Sequence, residues 1–184
     1  MKIGHAILIT TGIAAAAIAI AYSKKPKRKT GRNIIVGDSH AVGISKLLTN
    51  VQKSDCAVGG WTVKSVTQCL SGKPVDNGVS RVFISIGTNG MYSASDKVEE
   101  MIDLIKQKFP EADLYAYGGS YGWSGSRPAA EIEQRRTAYY ARFKKKGVNM
   151  LRSGLGYFST DSGAHSINSP QAKAIANEIN AIAQ

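Results

Sequence analysis

From residue 33 onward, short apolar runs rich in β-branched residues alternate with longer stretches whose apolar positions recur every three or four residues. Residues 33–36 predict a first strand, followed by a helix over 40–50 with apolar positions at Val42, Ile44, Leu47 and Leu48. Residues 55–58 predict a short strand and 62–70 a short helix. The β-branched and aromatic run 81–86 predicts a central strand. Residues 95–109 form the clearest helical pattern. There Val98, Met101, Ile102, Ile105 and Phe109 share one face, Ser95 is placed to cap, Glu99 and Glu100 suit the first turns, and Pro110 stops the helix. A strand over 113–117, a long helix over 128–146 that opens on Pro128 and ends at Gly147, and a strand over 148–152 come next. The last helix spans 170–183, with apolar positions at 172, 175, 176, 179 and 182. Strands alternating with helices imply an α/β fold, a mostly parallel sheet of about five strands with helices on both faces. No internal repeat is present.

Before this domain the pattern is different. Residues 3–22 are apolar and Ala-rich, and His5 is the one side chain in them that can carry charge near neutral pH. Twenty residues suffice to cross a bilayer as a helix. The first reading is therefore one transmembrane anchor over residues 1–22. A signal peptide cut after Ala19-Ile20-Ala21 is the alternative, and a buried core helix is disfavoured by the abrupt basic stop. One Lys precedes the run and six Lys or Arg come after it in residues 24–32. Positive charge tends to stay on the cytoplasmic side, so the domain beyond is expected in the cytoplasm or the interior of a virion. Export to the periplasm is the alternative. Residues 23–32 form a basic linker suited to anionic lipid headgroups or serving only as a topology signal.

Charge changes the picture chiefly by its location. The net charge of +11 comes from 24 Lys or Arg against 13 acids. From residue 33 on, 17 basic residues face all 13 acids, a net of only +4. Nucleic-acid binding thereby loses most of its support. The basic residues of the long helix, Arg135, Arg136, Arg142 and Lys144–Lys146, read as a solvated face that complements the helix dipole. The two cysteines, Cys56 and Cys69, lack metal-ligand spacing. They are expected as free thiols in a cytoplasmic domain and as a pair in an exported one.

The candidate chemistry lies in the segments just after the strands. In a parallel sheet these segments meet at one edge. They read Gly-Asp-Ser-His (37–40), Gly-Gly-Trp-Thr (59–62), Gly-Thr-Asn-Gly (87–90), Gly-Gly-Ser-Tyr-Gly-Trp-Ser-Gly (118–125) and, before the last helix, Asp-Ser-Gly-Ala-His (161–165). Each alone has a plain structural explanation: Asp38 or Ser39 as a helix cap, Asn89 as a turn residue, His165 as a loop histidine. Together they meet the needs of ester hydrolysis: a nucleophile, a base, a group that orients the base, and donors for an oxyanion. Ser39 suits the first role and His165 the second. The backbone N–H groups of Ser39 and Gly60 and the amide of Asn89 suit the last.

The order Ser39, Gly60, Asn89, His165 in these blocks resembles the SGNH (GDSL-type) hydrolase superfamily over residues 33–184. The resemblance implies a flavodoxin-like α/β/α sandwich and hydrolysis of esters without metal or cofactor, often of acyl groups on carbohydrates or lipids. It implies Ser39 as nucleophile, His165 as base and Ser39, Gly60 and Asn89 as the oxyanion hole. The chain departs from the family pattern twice. Gly90 stands where the family commonly has Asp, and Asp161 lies one residue further from His165 than the family's Asp-x-x-His spacing. Either the loop bulges at Gly163 and Asp161 orients the imidazole, or a backbone carbonyl holds His165 in a dyad. Substrate contacts are expected from His40 beside the nucleophile, although a place near solvent at the helix start is the plainer expectation. Tyr121 and Trp123 suit stacking on a sugar ring, and Arg127 suits an anionic group. The substrate expected is an O-acylated carbohydrate or peptidoglycan, or a lipid ester near the bilayer. The rival expectation is a catalytically weak module of this fold, tethered as a binding or structural protein in a phage virion or an envelope complex.

Overall fold

A computed structural model of the protein describes residues 30–119, 128–153 and 168–184. The expected anchor over 1–22, the linker up to residue 29, and the sites Tyr121, Trp123, Arg127, Asp161 and His165 lie outside the described residues. Among the described residues, no helix is long and apolar enough to cross a membrane.

Strands β1 (Arg32–Gly37), β2 (Gln52–Ala57), β3 (Val79–Ser85), β4 (Asp113–Ala116) and β5 (Asn149–Met150) alternate with helices α1 (Ser39–Ser45), α2 (Val63–Ser71), α3 (Val98–Lys108) and α4 (Ala129–Lys145). Helix α5 (Pro170–Ile182) comes last. The five strands pair in the order β2-β1-β3-β4-β5, and every pairing is parallel. The order reverses direction between β1 and β3, so the loops after these two strands diverge and leave a crevice at the carboxyl edge of the sheet.

Period-two alternation sorts the strand side chains onto two faces. Ile34, Val36, Val82, Ile84, Leu114 and Ala116 bury against α2, α3 and α4. Ile35, Phe83 and Tyr117 bury against α1 and α5. Right-handed crossovers account for this split, because the chain moves one way from β1 to β2 and the other way from β2 through β5. The expected face of α3 is the buried one: Val98, Met101, Ile102 and Ile105 are fully covered, and Phe109 just beyond it is buried too. In α5, Ala172, Ile175, Ala176 and Ile179 pack on the sheet, and Ser169 caps the helix by accepting the Ala172 N–H at 3.1 Å.

Four local expectations are corrected. Helix α1 stops at Ser45 rather than 50, and it buries His40, Ala41 and Ile44 while Val42, Leu47 and Leu48 are only partly covered. Ser95 does not cap α3; its N–H bonds the Ser93 hydroxyl at 3.2 Å, and the helix starts after Lys97. The basic face of α4 is not simply solvated. Arg136 is only 5% exposed and pairs with Glu133, while Arg142 grips both carboxylate oxygens of Glu99 and the carbonyls of Ala94 and Asp96. Lys146 reaches Asp103 at 2.6 Å. Arg142 and Lys146 are thus drawn to acids and carbonyls of the α3 segment, which the one-dimensional charge pattern does not reveal.

The fourth correction concerns the cysteines. Cys56 and Cys69 form a disulfide with a Cα–Cα separation of 5.7 Å. Cys56 is the penultimate residue of β2 and lies on the face that carries α2, and Cys69 lies in the last turn of that helix, so the two side chains meet inside the same layer. The expectation of free thiols came from the expected compartment and not from any geometric obstacle.

Candidate active site

The turn after β1 is built around a glycine and a buried acid. Gly37 has φ +136°, and a Cβ there would fall 1.8 Å from the Ser85 carbonyl oxygen, so no other residue fits. This close approach lets the Asp38 N–H bond that carbonyl at 2.9 Å, joining the turn to the end of β3. Asp38 is the N-cap of α1 and its Oδ1 accepts the His40 N–H at 3.0 Å. The cap and the candidate nucleophile are therefore adjacent residues with separate jobs, and partly exposed Ser39 is the first residue of the helix.

Asp38 has no exposed surface, and its Oδ2 has no hydrogen-bond partner among the described residues. Burial raises its pKa to about 7, opposed by backbone N–H groups of His40, Thr88 and Ala41 that lie close enough to favour the anion in part. The wall around it is aromatic. The Tyr117 hydroxyl donates to the His40 carbonyl at 3.3 Å. The Tyr140 hydroxyl lies 2.8 Å from the Ile86 carbonyl and 3.1 Å from that of Tyr117, spanning the ends of β3 and β4. Burial pushes both phenols well above their ordinary pKa, so they act here as neutral hydrogen-bonding groups.

The turn after β2 comes to the same edge. Gly59 lies beside Ser39, since a Cβ on Gly59 would sit 3.9 Å from the Ser39 Cβ. Gly60 has φ +80°, and a Cβ there would meet no described residue within 4 Å. Its need for glycine is thus conformational rather than steric. The short 3₁₀ turn Thr88–Gly90 after β3 completes the group. The Asn89 amide nitrogen donates to the Trp61 carbonyl at 2.9 Å and holds a second hydrogen for another acceptor. Three of the five sequence blocks are therefore brought together at the crevice between β1 and β3.

Solved structures share this fold. A GDSL-like lipase from Bacteroides thetaiotaomicron superposes with a TM-score of 0.60 at 14% identity, over 93% of this chain and 97% of that one. A member of the lipolytic G-D-S-L family from Veillonella parvula gives 0.54 at 13% identity, over 80% and 94%. An extracellular lipase from Streptomyces rimosus gives 0.51 at 16% identity, over 83% and 99%. The protein has the SGNH-hydrolase fold. No family model matches the sequence, and no curated protein matches it.

Within this SGNH fold the substitution at Gly90 has a local cause. A Cβ on residue 90 would come within 3.1 Å of Asp96 Oδ2, and that carboxylate accepts the Tyr139 hydroxyl at 3.2 Å. An Asp at position 90 would bring two carboxylates together, which Gly90 avoids. His40 departs from expectation as well. It is 2% exposed, and a Cβ on Gly119 would fall 2.5 Å from its ring, so it is packed under the loop after β4 and not set near solvent for a substrate to touch. Arg136, Tyr117 and Tyr140, which hold the rim from below, escaped the sequence pattern. The one signal, for Tyr140 alone, was the Tyr139-Tyr140 pair in a helix that carries many charged residues.

Proposed function

We propose that this protein is a serine esterase of SGNH type. The observation that carries the reading is the junction at the sheet's carboxyl edge, where Gly59 abuts Ser39 and the Asn89 amide binds the Trp61 carbonyl. In this reading Ser39 Oγ attacks the ester carbonyl while His165 takes its proton. The N–H groups of Ser39 and Gly60 and the Asn89 amide receive the oxyanion. His165 returns the proton to the leaving alkoxide, and water then releases the acyl group by the same steps in reverse roles. Asp161 orients His165 and stabilises its charged form.

The substrate class proposed is an O-acylated carbohydrate or peptidoglycan, or a lipid ester, met beside a membrane through residues 3–22. Residues 24–32 would then lie against anionic headgroups. The Cys56–Cys69 disulfide favours an oxidising location, either the periplasmic side or a virion, over the cytoplasm.

The test is labelling of the full-length protein with a fluorophosphonate serine probe, alongside turnover of p-nitrophenyl acetate. Ser39→Ala is expected to abolish labelling, and Ser39→Ala or His165→Ala to lower kcat by about 10³-fold or more. Labelling and turnover unchanged in Ser39→Ala would overturn the assignment. A folded protein that the probe never labels would instead favour the tethered binding module.

A further inference from the structure

We infer that the Cys56–Cys69 disulfide is a positioning element for the turn carrying Gly60, so that full activity of the proposed site requires the oxidised chain. This rests on the oxyanion role of Gly60 given above. Strand pairing supports that turn from one side. Its strand, β2, is at the sheet edge and pairs only with β1 among the described strands. The pairing is irregular, because the partners step from Ile35↔Lys53 to Gly37↔Ala57, so three residues of β2 span what Val36 alone spans in β1. Past Ala57 the holds on the turn include the Val58 N–H on the Gly37 carbonyl at 3.1 Å, a long Trp61 N–H bond to Val58 at 3.4 Å, Asn89 on the Trp61 carbonyl, and the Trp61 side chain packed against the larger core, all of them to either side of Gly60. No described residue lies within 4 Å of where a Gly60 Cβ would point.

The disulfide closes this gap. It joins residues 13 apart, and the 58–62 turn lies inside the ring it forms. Cys56 is fully buried, and Cys69 sits on a helix that buries Val63, Val66 and Leu70 in the larger core. The entry and exit of the turn are therefore bolted to one rigid layer, which cuts the freedom of the segment between them. Reduction by a dithiol would transfer two electrons and two protons to give two Cys thiols, while the reductant closes to its own disulfide. The turn could then open locally without global unfolding.

The experiment compares oxidised full-length protein, the same protein reduced with dithiothreitol after folding, and Cys56→Ala/Cys69→Ala. The chain has two cysteines, so no other thiol responds. Two readouts are taken well below the melting temperature: hydrogen exchange of the 58–62 amides, and kcat and KM on p-nitrophenyl acetate. Reduction is expected to speed exchange in the turn by about tenfold or more while α5 is unchanged, since local opening is selective. It should also lower kcat by about tenfold with KM nearly unchanged, as misplacing a transition-state donor does. Unchanged turn exchange, or exchange raised equally in α5, would overturn the inference and leave the bond a general staple. If the oxidised protein hydrolyses nothing, the esterase reading fails, and the exchange comparison alone decides the positioning claim. Where the double variant does not fold, the reduced wild type decides it.

Discussion

The two turns that build the candidate site are held in opposite ways. The turn after β1 lies between two hydrogen-bonded neighbours, is sealed from water at Asp38, and is locked by a glycine against the Ser85 carbonyl. The turn after β2 springs from an edge strand, has no described atom within 4 Å of where a Gly60 Cβ would point, and is held by one backbone bond to Gly37, the Asn89 amide, the packed Trp61 and a disulfide. The candidate nucleophile is thus placed by burial and backbone pairing, which are present in any compartment. The candidate donor beside it is placed in part by a bond whose existence depends on the redox surroundings.

This contrast breaks most sharply at the glycines. Gly37→Ala forces a Cβ to within 1.8 Å of a carbonyl oxygen at φ +136°. It should cost more than about 4 kcal/mol, enough to lose the cooperative fold in urea titrations.

The next largest effect concerns Asp38. Its folded pKa of about 7 lies above the ordinary 3.8, so the folded chain holds this proton more tightly than the unfolded one. The associated stability is fully present below about pH 4 and is lost as pH rises through 7. Asp38→Asn should remove this loss, at roughly 1.4 kcal/mol per pH unit within that window. Urea midpoints from pH 4 to 8 check it: a wild-type curve parallel to that of the variant would mean Asp38 is not the buried acid described.

Gly60→Ala should cost only about 1–2 kcal/mol in stability, because φ +80° is strained for alanine but no described atom stands in its way. Comparable losses for Gly37→Ala and Gly60→Ala in the same urea titrations would erase the distinction between the two turns.

The smallest effect is a control away from both. Arg142 pulls the Glu99 carboxyl down to about 2, chiefly through the paired hydrogen bonds. The pair is partly exposed, so Glu99→Gln should cost under about 1 kcal/mol at neutral pH. Its contribution is present above pH 4.5 and fades as pH falls toward 2, and labelling by the serine probe at neutral pH should be unchanged.

The buried faces of α3 and α5 were legible because a 3.6-residue apolar period maps directly onto one side of a helix, although the start of α3 was not. The residues of α1 misled because its register is set from outside the helix. Asp38 fixes where it starts, and Gly119 roofs His40, pulling that face inward. Arg136 looked solvated because nothing in the local sequence places Gly119 beside it, where the carbonyl lies 3.5 Å from the guanidinium. In the site, the blocks with Ser39, Gly60 and Asn89 were legible through their positions after successive strands. The tyrosines beneath them were not, because a hydroxyl reaching a strand-end carbonyl leaves no periodic mark.

The alternation of strands and helices, the faces of the strongly amphipathic helices, and the order of the Gly-Asp-Ser, Gly-Gly-Trp-Thr and Gly-Thr-Asn blocks are written in the chain itself. These arise from side-chain periodicity and local turn chemistry, which act over a few residues. Folding brings Gly59 against Ser39, Asn89 onto Trp61 and Cys56 to Cys69, and it buries His40 and Arg136. Each joins segments brought together by the strand order and crossover hand of the whole sheet, a property that no short stretch of chain carries.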